Sequence, residues 1–119
     1  MSTQWERARK QVLLRDGGKC LFCLGDATDV HHRRPKGMGG TSNSYIAFGM
    51  ANLVSLCREH HSWIHAHPEQ GYKSGFLVHS WEDPADIPLV LKPGSFLIKL
   101  TPSGELERMG EPDGDWNLF

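Results

Sequence analysis

Apolar residues recur with a helical beat at the start of the chain. Trp5, Ala8 and Val12, with Leu13 beside them, are spaced three and four apart until Gly17-Gly18 breaks the run. Thr3 followed three residues later by Glu6 is a capping box, so the pattern predicts an amphipathic helix over residues 4–16. KCLFCLGDA reads as a tight turn holding two cysteines, and TDVHH as a short strand. Residues 33–51 carry Pro35, several glycines and little periodicity, and read as one long loop. A loop of that length inside a compact domain usually has a function. NLVSL, ending at Leu56, has the branched apolar content of a strand, and CREHHSWIHAH predicts a helix that Pro68 closes. The order is strand, loop, strand, helix. Beyond Gly71, the apolar pieces GFLVHS, PLVLK, SFLIKL and ELERM are separated by Pro and Gly, with Pro102-Ser103-Gly104 as a hairpin turn. A small antiparallel β extension over residues 75–110 follows. Residues 111–119 read as a flexible acidic tail, leaving one α+β domain over 1–110.

Composition narrows the class without changing that picture. The chain has 119 residues, 39% of them hydrophobic and 23% charged, which argues against disorder, collagen-like repeats and coiled coil. No apolar run approaches the roughly 18 residues needed to span a bilayer. The opening MSTQWERARKQ places charges where a signal peptide needs its apolar stretch. A cytoplasmic location and no membrane partner are the expectation. The net charge of −1 hides an asymmetry, since residues 1–80 carry ten Lys/Arg against six Asp/Glu and residues 81–119 carry three against eight. A polyanionic partner would meet the first part.

Three cysteines cannot all pair within the chain, so metal binding becomes the first alternative to disulfides. Cys20 and Cys23 form C-x2-C, and Cys57 and His60 form C-x2-H at the start of the predicted helix. Together they offer the four N/S ligands of a tetrahedral structural zinc. Three buried free thiols are the bland alternative. His31, His32, His60, His61, His65 and His67 cluster more tightly than chance spacing explains, and such a cluster invites a second metal. At 100° per residue, Cys57 and His60 share one helical stripe, while His61 and His65 share another about a quarter turn away. One helix can therefore face two metals. In a strand, neighbours point to opposite faces, which gives His31 and His32 different roles. Trp63 and Ile64 lie off the His61/His65 stripe and read as core. His79 has no partner in sequence and reads as incidental.

DVHHRRP, then Asn52 in ANLVSL, then CREHHSWIH resemble the H-N-H nuclease motif of the ββα-metal (His-Me finger) superfamily, in its zinc-knuckle version. The match covers roughly residues 20–67. The loop RRPKGMGGTSN and the segment from GYKSGFLV are similar to small H-N-H proteins of bacteriophages. The resemblance implies a ββα-metal core with an N-terminal helix and a C-terminal β extension. It implies an endonuclease that hydrolyses DNA phosphodiester bonds, by nicking or double-strand cleavage, and releases a 3′-hydroxyl and a 5′-phosphate. His31 would ligate the catalytic divalent ion, His32 would be the general base, and Asn52 would orient the His32 loop by hydrogen bonding. His61 would be the second ligand and His65 the third, as in colicin-type members. Cys20, Cys23, Cys57 and His60 would hold the structural zinc, with His60 standing where this version of the family usually has a fourth cysteine.

The chemistry agrees with those roles. Phosphodiester hydrolysis needs a base for the attacking water and a cation for the charge that grows on phosphate and leaving oxygen. A neutral imidazole suits the first task near neutral pH. All-histidine ligation admits Mg, Mn, Ni or Zn. Arg33, Arg34 and Lys36 follow the proposed base and Arg58 opens the helix, so these cations are candidates to position double-stranded DNA by its backbone. Two rivals remain open: a zinc-stabilised DNA-binding module without catalysis, and a nuclease acting on RNA. Similarity to phage proteins adds phage DNA processing, and terminase or other packaging proteins, as possible context and partners.

Overall fold

The computed structural model describes residues 3–35, 43–91 and 96–110. Lys36, the glycines that follow it and the expected tail at 111–119 lie outside the described residues. The elements in chain order are α1 (Gln4–Arg15), β1 (Asp29–His32), α2 (Ser44–Phe48), β2 (Leu53–Leu56), α3 (Arg58–Ala66), α4 (Pro68–Ser74), β3 (Leu89–Leu91), β4 (Phe96–Leu100) and β5 (Leu106–Gly110). They form an α+β fold with two antiparallel sheets, β1-β2 and β3-β4-β5.

Helix α1 begins where its sequence says it should: Thr3 Oγ1 accepts a hydrogen bond from Glu6 N at 3.0 Å. Ala8 and Val12 are buried against Leu53, with Trp5, Val30, Phe48 and Met50 around them. Consecutive positive φ angles at Gly17 (66°) and Gly18 (71°) then turn the chain away, a conformation that costs glycine little. The last turn is fastened to β2. Arg15 donates to the Met50 and Leu53 carbonyls and pairs with Asp16, whose Oδ2 accepts from Ser55 N.

Strand β2 is buried along its whole length. Leu53 meets α1, whereas Val54 and Leu56 join the main core with Leu21, Phe22, Ile64, Phe76, Leu89, Ile98 and Leu100. Its register with β1 pairs Asp29 with Leu56, Val30 with Ser55, His31 with Val54 and His32 with Leu53. By alternation, Asp29 and His31 share the main-core face of β1, and Val30 and His32 share the α1 face.

Three expectations need correction. The loop expected over 33–51 contains α2 and a 3-10 turn at Met50–Asn52. Asn43 caps α2 through Oδ1, and only Ile46 and Ala47 are buried, too few positions to show a period. Pro68 does close α3, but it also opens α4, because its fixed φ suits the first position of a helix. GFLVHS does not form a strand. Phe76, Leu77 and Val78 are buried, yet Leu77 N donates to Gly71 O and Val78 N to Arg33 O. These bonds take the chain back over α4 and the end of β1. Gly75 makes the entry to this segment possible, with φ of 83° and Pro88 O standing where a Cβ would be. The remaining apolar pieces pair as expected in β3-β4-β5, with Gly104 (φ 94°) in the turn before β5.

Arg33, expected to meet a DNA backbone, is completely buried. Its Nε donates to Gly75 O at 2.8 Å, Nη1 to Ala51 O and Pro84 O at 2.9 Å each, and Nη2 to Ile87 O at 2.5 Å. Four carbonyls thus take four of its five N–H groups. Burial, then repulsion from Arg15, pushes the guanidinium down to about 9, which still leaves it charged at neutral pH. Its role is to tie the end of β1 to the chain before β2, after α4 and before β3. Lysine has three donors and no fork geometry, so Arg33→Lys is expected to destabilise the protein by about 3 kcal/mol or more, measured by chemical denaturation. Stability within experimental error of the parent would overturn this role.

Candidate metal centres

The first group is built by a turn and a helix start. Cys20 N donates to Gly25 O and Leu24 N to Cys20 O, both at 2.7 Å, and Lys19 pairs with Asp26 as an antiparallel bridge. This closed turn brings Cys20 and Cys23 together. Leu24 occupies the left-handed region at φ 65°, an unusual position for a branched residue. Cys57 is the N-cap of α3, and its Sγ accepts from His60 N. The donor atoms of Cys20, Cys23, Cys57 and His60 all lie within 4.8 Å of one another.

Their spacing fits a zinc ion. Two sulfurs at tetrahedral angles and about 2.3 Å from zinc stand about 3.8 Å apart. Cys23 Sγ and Cys57 Sγ are separated by 3.9 Å, far beyond a disulfide. His60 Nδ1 lies 3.2 Å from Cys57 Sγ, and Phe22 stacks on the His60 ring at 4.4 Å. In the metal-free chain, burial pushes the Cys20 thiol up to about 11. Zinc binding would therefore have to displace that proton.

The second group joins β1 to α3. His31 is 2% exposed, and His61 and His65 stand one turn apart on the helix that faces it. The three ring centroids are 5.0, 5.3 and 5.1 Å apart, and one ligand atom from each ring lies within 4.8 Å of the others. With metal–nitrogen bonds of about 2.0–2.1 Å, three imidazoles arranged tetrahedrally around one ion place their centroids about 5 Å apart. The group fits a metal ion.

Hydrogen bonds settle two of the tautomers. His31 Nε2 donates to Phe76 O at 2.7 Å, so its lone pair is on Nδ1. His61 Nδ1 lies 2.8 Å from Asp29 Oδ2 and, donating to that carboxylate, leaves the lone pair on Nε2. Burial, reinforced by the neighbouring histidines, pushes His31 down to about 3. It stays neutral near pH 7, the form that ligates metal. Burial also lowers His65, with repulsion from His61 acting in the same direction. For Asp29, desolvation works upward, but hydrogen bonds from Arg58, His61 and Thr28 outweigh it and hold the carboxyl down at about 2.

His32 takes the other face of the strand. Its Nε2 donates to Ala47 O at 2.9 Å, and its ring stacks on Trp5 at 5.2 Å. Asn52 is fully buried and binds the chain just beyond His32. Its Oδ1 accepts from Arg34 N at 2.7 Å, its Nδ2 donates to Arg34 O and Ile46 O, and its carbonyl accepts from Arg33 N.

The cations expected to line DNA divide. Arg33 is buried, Arg34 is half-buried, and Arg58 is exposed but paired with Asp29 at 3.1 Å. Ile64 is buried in the core and Trp63 packs against it, as expected. His79 needs correction. It lies in a parallel stack between Tyr72, at 3.9 Å, and Trp81, at 4.4 Å. Asp29 was missed, although its place two residues before His31 puts it on the same strand face. Among the described residues, no helix is long and apolar enough to cross a membrane. Comparison with protein-family models, curated proteins and solved structures finds no match for this chain.

Metal analysis of the purified protein is expected to find zinc that dialysis does not remove. Cys57→Ala should lose both this zinc and cooperative unfolding, because metal binding and folding are linked in small sites. A well-folded Cys57→Ala protein with unchanged zinc would exclude the assignment. Replacing Leu24 by Gly relieves the left-handed strain and is expected to stabilise the zinc-loaded protein by about 1 kcal/mol in thermal unfolding.

Proposed function

We propose that this chain is a metal-dependent endonuclease of the H-N-H kind, with β1, β2 and α3 as a ββα-metal core and double-stranded DNA as its substrate. One observation carries the proposal: His31, His61 and His65 converge on one face of β1, while His32 stands on the opposite face with its ring held by the Ala47 carbonyl. A structural cluster would account for the first three residues. It gives no reason for a second, separately anchored imidazole at the same strand end.

His31, His61 and His65 would hold the catalytic ion, with Mg, Mn, Ni or Zn admitted by imidazole ligation. A bound divalent ion would neutralise the negative charge that grows on the phosphate and on the leaving oxygen. His32 supplies the base. With Nε2 donating to Ala47 O, the neutral ring can accept the proton of an attacking water at Nδ1. The stacked Trp5 and the Ala47 carbonyl restrict rotation of that ring, so its lone pair keeps one direction. Asn52 positions the base from outside the reaction by joining residue 34 to α2. Arg34 is the described cation beside His32 with surface left for a phosphate oxygen. The Cys20, Cys23, Cys57 and His60 group anchors the start of α3 and thereby the placement of His61 and His65 against β1.

The test is conversion of supercoiled plasmid to nicked and linear forms, using protein stripped of its exchangeable metal and supplied with Mg, Mn, Ni or Zn in turn. Wild-type protein is expected to cleave. His32→Ala should lose about 10²–10⁴-fold in rate while keeping its fold and metal content. Full activity of His32→Ala would refute the role of the base. No cleavage with any metal, from zinc-loaded protein that still shifts DNA on a gel, would favour a binding module. Cleavage of RNA with DNA left intact would change the substrate.

A further inference from the structure

The side chain of Asp29 is only 13% exposed, and its two oxygens accept from three other side chains. His61 Nδ1 reaches Oδ2 at 2.8 Å. Arg58 Nε lies 3.1 Å from Oδ2 and 3.3 Å from Oδ1, Arg58 Nη2 lies 3.2 Å from Oδ1, and Thr28 Oγ1 lies 3.0 Å from Oδ1. A carboxylate in this state can only accept, so it selects the His61 tautomer with hydrogen on Nδ1. Asp29 also shares its strand face with His31. A four-residue strand therefore carries one member of the histidine group and the carboxylate that aims a second member from another element.

We infer that Asp29 is the positioning residue of the His31, His61 and His65 site, holding His61 with Nε2 free to ligate, and that Arg58 is the clamp on Asp29 instead of a phosphate contact. This rests on the reading that the three histidines hold a metal ion, and not on the nuclease activity. Without Asp29, the His61 ring can rotate about its side-chain bonds and exchange tautomers, so the site would have to be ordered when metal arrives. Outer carboxylates that orient ligating histidines are typically worth about 10- to 100-fold in metal affinity. Arg58 acts through the same carboxylate, so its removal should weaken metal binding by less than removal of Asp29. A phosphate contact would leave metal binding untouched.

Two readouts on zinc-loaded protein test this. Nitrogen NMR of labelled histidines should show His61 protonated at Nδ1 in the parent, and a shift towards the Nε2-protonated form in Asp29→Ala. Calorimetric titration with Ni2+ should show affinity lowered about 10- to 100-fold in Asp29→Ala and less in Arg58→Ala. If Asp29→Ala fails to fold, Asp29→Asn keeps an acceptor oxygen without the charge and should show a smaller loss. Parent protein that takes up no Ni2+ at the histidines would overturn the metal reading together with the inference. Parent protein that binds Ni2+, with tautomer and affinity unchanged in the Asp29 variants, would overturn the inference alone. A purely structural Asp29 would lower the melting temperature and leave the His61 tautomer as it was.

Discussion

A guanidinium sealed from water must find acceptors for its hydrogens, and around Arg33 those acceptors come from three separate stretches of backbone. Ala51 precedes β2, Gly75 ends α4, and Pro84 and Ile87 belong to the turn that leads into β3. Among the described residues no carboxylate forms an ion pair with this charge, and four backbone carbonyls take its hydrogens. The arrangement explains why the segment after Gly75 leaves the β pattern that its composition favours. Val78 N bonds to the Arg33 carbonyl, so backbone that could have joined a sheet is committed to the end of β1. The course of the chain beyond His32 follows from Arg33 and from Asn52, which joins Arg34 to Ile46 of α2.

Helix α3 carries both candidate metal groups because helical geometry separates positions that are adjacent in sequence. Cys57 and His60 turn toward the cysteine turn, whereas His61 and His65 turn toward β1. The N-cap of the helix is itself one of the candidate ligand residues, and its sulfur also accepts a hydrogen bond from His60 N. Closing the first group therefore fixes the helix start and sets where the second group must be. Strand β1 divides its residues in the same way, with period two: Asp29 and His31 face α3, and His32 faces α1. The histidines are neighbours in sequence and have different surroundings.

Much of the architecture was legible because it depends on local periodicity. Thr3 with Glu6, the Trp5, Ala8 and Val12 stripe, the Gly17-Gly18 stop and the turn at 102–104 are each signals within a few residues of the element they specify. Both groups of donors were also legible, since Cys, His and their spacing announce themselves. Helix α2 was not, because five residues with two buried positions leave no period to read. Pro68 was read as a stop when the same locked φ let it start α4. His79 seemed isolated because Tyr72 belongs to α4 while His79 and Trp81 lie in irregular chain beyond it, so no single element carries the three stacked rings.

Sequence by itself determined which residues could do chemistry here: three cysteines, a concentrated set of histidines and, in the interval between them, Asn52. Tertiary structure decided which of them meet and in what electrical state. Arg33 and Arg58 look like equivalent surface cations along the chain. One becomes an internal brace because backbone carbonyls converge on it, and the other becomes half of an ion pair because β1 places Asp29 beneath α3. Charge, tautomer and availability depend on desolvation and on partners brought from distant positions, and neither is written in the local pattern of a chain.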